Sequence, residues 1–227
     1  MSTVYDETLT CSVCGMERVY TSCSYFAFGP PDLDQRPPEM GRSTMKYWVH
    51  RCPYCGYVAG DVSDSCPVNW RFFRTAAYRT CNWKFFLSPL AKKFYRQYLI
   101  AMQAGYDADA YYAALHAAWA CDDAHDLRNA KYCRELAVQQ INKQLQHEHA
   151  SDESTEGLLL IKADLLRRSR HFSEVVREYR KIRFSNEQMN AIRVFEIKMA
   201  RRKNSKCYTT EDALEFQNTA VSGDQIV

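Results

Sequence analysis

Residues 88–105 read SPLAKKFYRQYLIAMQAG, and this stretch decides the fold class. Ser88 is an N-cap, with a hydroxyl able to take up a free backbone amide, and Pro89 suits the first helical position. Gly105 stands where the chain must leave the helix through a left-handed residue. Between these signals Leu90, Phe94, Tyr98 and Met102 recur every fourth position, predicting an apolar helical face. Downstream, apolar residues keep helical spacing nearly to the C-terminus, punctuated by Asp, Asn, Gly and Ser. The body of the chain therefore reads as all α.

Within that body two stretches follow the ladder of a tetratricopeptide repeat, where small residues let paired helices cross closely. In one, Ala163 is followed at offsets of nine, twelve, sixteen and nineteen by Phe172, Val175, Tyr179 and Ile182. In the other, Ala118, Leu127, Ala130 and Ala137 take the same places, except that Arg134 replaces the aromatic residue. The small positions lie 45 residues apart, against ~34 for the regular repeat, so an overlong helix or an extended link through QLQHEHASDESTEG is expected. A plain antiparallel bundle has the same helix content, but a repeat array adds a concave face suited to partner peptides. NEQMNAIRVFEIKMARRK would add a capping helix through Met189, Ile192, Phe195 or Ile197, and Met199, with SGDQIV as a loose tail.

Upstream the pattern changes. TCSVCGM and RCPYCGY are two Cys-x-x-Cys-Gly hooks, formed by Cys11, Cys14, Cys52 and Cys55. Thiolates three positions apart converge on one ion, and Gly15 and Gly56 permit the positive φ that turns amides toward sulfur. Paired hooks make one closed tetrathiolate site, for which Zn2+ is the expected metal; a single iron uses the same shell. Four thiolates leave no position for water, so the ion is structural rather than catalytic. A thioredoxin-type redox pair is disfavoured because no strand–helix–strand pattern surrounds either hook.

Between the hooks, VYTSCSYFAFG and STMKYWVHRC are expected to form short strands, joined by GPPDLDQRPPEMGR. Four prolines and two glycines exclude a helix or central strand there, leaving an ordered loop or a disordered tongue. Asp32, Asp34 and Arg36 are candidate structural or recognition residues, able to pair across the loop; a solvated connection is the plainer alternative. The run GPPDLDQRPPEMGRSTMKYWVHRCPYCGYV, with upstream TCSVCG, resembles a bacterial family known as a domain of unknown function, which couples a four-cysteine ribbon to tetratricopeptide-like helices. The resemblance extends from about Leu9 to Ile182, and Asp-Leu-Asp-x-Arg-Pro is its most specific part. It implies that the four hook cysteines are metal ligands and that the loop is ordered; it carries no activity.

Composition narrows the function classes. A formal charge of +3 names no partner, and the longest apolar run, Ala110 to Leu115, is far too short to cross a bilayer. The N-terminus has no secretion signal, and ten cysteines lacking bridge-like spacing predict a reduced, cytoplasmic protein. No phosphate-binding loop or nucleophile elbow occurs, so no small-molecule substrate and no catalytic residues are expected. His147 and His149 read as a solvated turn, His50 as a neighbour of the second hook, and Asp122, Asp123 and Asp126 as caps.

These readings combine into a mainly α chain: a zinc ribbon with its loop over residues 1–66, an aromatic and basic connector with the first helix over 67–105, and tetratricopeptide-like helices and tail over 106–227. The expected function is a non-enzymatic adaptor binding a protein or peptide partner. The rival is nucleic acid, held by Arg71, Arg74, Arg79, Lys84, Lys92 and Lys93, which together with Arg96 interleave with Trp70, Phe72, Phe73, Tyr78, Trp83, Phe85 and Phe86. Aromatics at that density also serve as packing between a ribbon and its helices, with the cations at the rim.

Overall fold

Each cysteine hook forms the turn of a β-hairpin. In the computed structural model, which describes residues 3–147 and 153–223, β1 (Thr3–Thr10) pairs antiparallel with β2 (Glu17–Ser24), and β3 (His50–Arg51) pairs with β4 (Val58–Ala59). The rest is helical: α1 (Ala76–Thr80), α2 (Pro89–Ala104), α3 (Asp107–Asp123), α4 (Leu127–His147), α5 (Glu153–Arg168), α6 (Phe172–Tyr179), α7 (Glu187–Arg201) and α8 (Thr210–Gly223). The chain is thus mainly α with small N-terminal hairpins. It divides into two compact units, Met1–Phe28 with Glu39–Gln140, and Gly29–Pro38 with Ile141–Val227. This division follows neither residue 66 nor residue 105.

In the first unit, β2 lies where a strand is expected, but STMKYWVHRC does not extend as one. Arg42–Tyr47 is a 3-10 turn, because the Thr44 hydroxyl donates to the Gly41 carbonyl (2.7 Å) and in turn accepts from the Trp48 indole (3.1 Å). Such local bonds offer the backbone an alternative to a ladder. Helix α2 has its expected caps: Ser88 Oγ accepts from the Ala91 amide at 3.2 Å, and Gly105 has φ of 76°. Its buried face is centred on Phe94 and Tyr98 as expected. Ala91, Phe94, Tyr95, Tyr98 and Ala101 are buried, whereas Met102 reaches the surface, since a helix packed along a broad front uses i, i+3, i+4 and i+7. Helices α2 and α3 pack together, and alanines dominate the buried face of α3, which allows close approach. Asp126 caps α4 through the Asn129 amide (3.3 Å) and accepts from the Leu87 amide (3.1 Å). Leu127, placed on the repeat ladder, is instead 71% exposed at the start of α4. Buried Arg134 pairs with Asp122, a polar contact where the repeat has an aromatic ring.

In the second unit, Ala163, Val175 and Tyr179 are fully buried, and the Tyr179 hydroxyl donates to the Leu159 carbonyl at 2.6 Å, locking α6 onto α5. Phe195 and Met199 of α7 pack with Ala213 of α8 and with Leu33 from the proline-rich stretch. That stretch is structural. Leu33 donates its amide to the Tyr208 carbonyl (2.9 Å), Thr210 donates to the Pro31 carbonyl (2.9 Å), and Asp32 forms a β-bridge with Thr209. His149 of the polar linker and the last four residues of SGDQIV lie outside the described residues.

Candidate metal centre and the cleft beside it

The two hooks have the same geometry. The Gly15 amide donates to the Cys11 carbonyl (2.8 Å) and the Gly56 amide to the Cys52 carbonyl (3.0 Å). The Cys11 amide donates to Met16 and the Cys52 amide to Tyr57, at 3.0 and 2.8 Å. Gly15 and Gly56 take φ of 70° and 83°, values that side chains rarely adopt. Backbone amides then face sulfur: Met16 donates to Cys14, Tyr57 to Cys55, and Tyr54 and Cys55 to Cys52.

The four thiol sulfurs lie within 4.8 Å of one another, a group that could hold a metal ion. Contacts cross between hooks, Cys11 to Cys55 and Cys14 to Cys52, each with sulfurs 3.6 Å apart. A disulfide requires about 2.05 Å. A tetrahedral ion with metal–sulfur bonds of about 2.3 Å places its sulfurs about 3.8 Å apart, close to both spacings. Burial pushes the Cys14 and Cys55 thiols up, while for Cys52 the same burial is outweighed by the Cys55 and Tyr54 amides and the neighbouring thiols, leaving it below the usual thiol range. His50 is buried, with Nε2 at 3.2 Å from Ser22 Oγ and its ring edge-on to Tyr20.

The aromatic connector packs against the second hook. The Tyr78 hydroxyl donates to the Gly56 carbonyl at 2.7 Å, and Phe73 contacts both Tyr57 and Tyr78. Phe73, Tyr78 and Phe86 are buried as packing residues, but Trp70 is 47% exposed, Trp83 83% and Phe85 80%. Trp83 and Phe85 belong to a turn in which Cys81, Asn82 and Trp83 all have positive φ (52°, 51° and 61°).

A cleft of about 690 Å³ opens between the hook and the connector, lined by Arg51, Arg74, Arg79 and Arg96 with Tyr54 and Trp70 among its aromatic walls. Of the expected nucleic-acid cations it gathers Arg74, Arg79 and Arg96. Arg71 lies 5.9 Å from the Trp70 ring, Lys84 sits over Tyr132 at 3.8 Å, and Lys92 neighbours Cys81. Lys93 is held below its ordinary pKa by burial and then by Arg51. Arg51 and Tyr54 were not marked by the sequence pattern, because their neighbours in the cleft come from α1 and α2; only adjacency to the hook pointed to them.

Asp32, Asp34 and Arg36 are buried in the second unit. Asp34 Oδ2 accepts from Arg168 at 2.6 Å, an ion pair that reaches α5, and Asp34 Oδ1 accepts from the Arg36 amide at 3.3 Å within the loop. No protein-family model, curated protein or solved structure matches the chain. No helix among the described residues is long and apolar enough to cross a membrane.

Proposed function

We propose that this chain is a zinc-binding, non-enzymatic adaptor of the cytoplasm, and that it belongs with the bacterial four-cysteine family it resembles. The observation that carries the zinc assignment is the convergence of four sulfurs at tetrahedral spacing. Cys11, Cys14, Cys52 and Cys55 would hold the ion. Bound zinc supplies folding free energy and no reaction step, since four thiolates fill its shell.

The adaptor reading is supported by the Cys81–Trp83 turn. Consecutive left-handed residues cost about 1 kcal/mol or more each, and such strain persists where surrounding contacts hold it. Here the turn presents exposed Trp83, Phe85 and Leu87 together, a set of large side chains of the kind that anchors protein interfaces. Tetratricopeptide-like helices would offer a second platform in α5 and α6.

Two measurements test this. Metal analysis of chain purified without affinity metal should give one zinc per chain; iron or no metal would end the zinc assignment. A tagged chain recovered from native cytosol should bring a stoichiometric protein that survives nuclease and is lost in Trp83→Ala/Phe85→Ala. Recovery unchanged in that variant would remove the turn as the working surface.

A further inference from the structure

We propose that the arginine-lined cleft beside the second hook binds single-stranded nucleic acid, with guanidiniums on the phosphates and Trp70 and Tyr54 stacking on bases. The cleft lies wholly within the first unit. Arg51, Arg74, Arg79 and Arg96 face it and no carboxylate lines it. Among the described residues, none of these four arginines has an ion-pair partner. The Arg96 guanidinium donates to the Arg79 carbonyl at 3.3 Å and also reaches the Cys81 thiol, which holds it in place at the cleft wall.

Charge accounting points the same way. A tetrathiolate zinc centre carries a net charge of about −2, and Cys14 and Cys55 reach the cleft wall. Four guanidiniums exceed that by about two charges, which leaves the cleft seeking an anion. All four cations are arginine, whose planar fork matches phosphate oxygens in pairs. The aromatic walls then choose among anions. Trp70 and Tyr54 are 47% and 59% exposed, and the Arg74 guanidinium lies 4.5 Å from the Trp70 ring centroid. An acidic peptide has no use for exposed rings between guanidiniums, whereas an unpaired base has a π-face for each. Bases in a duplex are already stacked, so the site selects single strands. The cleft volume, about 690 Å³, lies within the range of about 300–1,000 Å³ typical of ligand sites and suits a short run of nucleotides rather than a helix.

This inference rests on the zinc assignment, because Arg51 and Tyr54 are held by the second hook, and the test separates the two. The full chain, with zinc quantified, is titrated into fluorescent oligouridine and oligothymidine of about twelve nucleotides, and into a duplex of equal length. Single strands should bind at least tenfold tighter than duplex, with a log–log salt slope of about −3 for four phosphates. Arg74→Ala/Arg79→Ala should weaken binding at least tenfold and flatten the slope, with zinc content and melting unchanged. Trp70→Ala should weaken binding while leaving the salt slope as it was. Unchanged affinity in the arginine variant overturns the cleft as the site, and loss of zinc with loss of binding reduces the arginines to counter-charges for the metal. Equal displacement by polyglutamate would assign the cleft to an acidic protein segment instead. Zinc present with no oligonucleotide bound defeats the cleft alone; oligonucleotide bound by a chain without zinc defeats the metal assignment alone.

Discussion

The Nε of Arg167 donates to Oε2 of Glu196 across 2.6 Å, with both side chains sealed from solvent in the second unit. Arg167 also pairs with Asp164 at 2.5 Å and donates to the carbonyls of Asn204 and Lys206 at 3.1 and 2.7 Å. One guanidinium on α5 thus fastens α7 and the segment leading into α8. Burial pushes the Glu196 carboxyl up to about 8 while Arg167 pulls it down; Arg167 itself is held charged by Asp164 and Glu196 in spite of its burial.

Removing Arg167 leaves Asp164 and Glu196 buried without the cation they share, whereas removing Glu196 still leaves Arg167 paired with Asp164. Arg167→Met should therefore cost about 3–5 kcal/mol of unfolding free energy in urea, and Glu196→Leu clearly less. Equal losses in the two variants would mean that Asp164 does not compensate the guanidinium.

Asp34 and Arg168 lie 134 positions apart in sequence and 2.6 Å apart in space. Asp164 is also within 3.7 Å of Arg168, so the guanidinium would not be abandoned altogether in an Asp34 variant. A double-mutant cycle with Asp34→Ala and Arg168→Ala should still return a coupling energy above about 1 kcal/mol, against 0.2–1 kcal/mol, roughly, for exposed pairs. A value of a few tenths would show that the proline-rich stretch is held by its backbone bonds to Tyr208 and Thr210 alone.

These two pairs also show what the sequence made legible. The caps of α2 were readable because Ser88, Pro89 and Gly105 act within a turn or two of their own position, and the hooks because two Cys-x-x-Cys-Gly pairs together point to one tetrathiolate site. Strand β1 was not readable. Thr3–Thr10 has mostly exposed side chains, so it lacks an apolar alternation, and its pairing partner is the only reason it extends. The role of Asp32, Asp34 and Arg36 was half readable: the residues left an ordered loop or a disordered tongue open, and Arg168, Tyr208 and Thr209 are too distant in sequence for any local pattern to mark. Arg74, Arg79 and Arg96 of the cleft stood in the basic and aromatic stretch, but Arg51 and Tyr54 did not, because they come from the second hook, distant from that stretch in sequence.

The packing around His116 predicts an acid sensitivity. Trp48, Phe94, Tyr112 and Trp119 surround its ring, and burial pushes its pKa down to about 4. The folded value lies below the unfolded value of about 6.5, so the unfolded chain binds the extra proton between them. Stability from the neutral ring is thus complete above about pH 6.5 and is lost as pH falls toward 4, by at most about 3 kcal/mol. His116→Gln should flatten the melting temperature between pH 6.5 and 4. An unchanged pH slope would assign the acid sensitivity to other groups.

Metal removal should act on the hairpins before it acts on the helices. Strands β1 and β2 bury only Tyr20 beyond intermediate exposure, and β3 and β4 have two residues each, far below what a free-standing hairpin requires. What positions them is the crosswise convergence of Cys11 with Cys55 and Cys14 with Cys52. Helix α2 has its own caps, and α2 and α3 bury an extensive face against each other. Chelation, or Cys52→Ser, should abolish amide protection in β1 to β4 while leaving most helical circular dichroism intact. The melting temperature of the first unit should fall by about 10 °C or more, since each kcal/mol is worth about 2–4 °C at this chain length. Cobalt substitution should restore protection and give the absorption of a tetrahedral thiolate site. Hairpins that stay protected in Cys52→Ser would show that Tyr78 and Phe73 hold the ribbon without a metal, and the ion would lose its structural role.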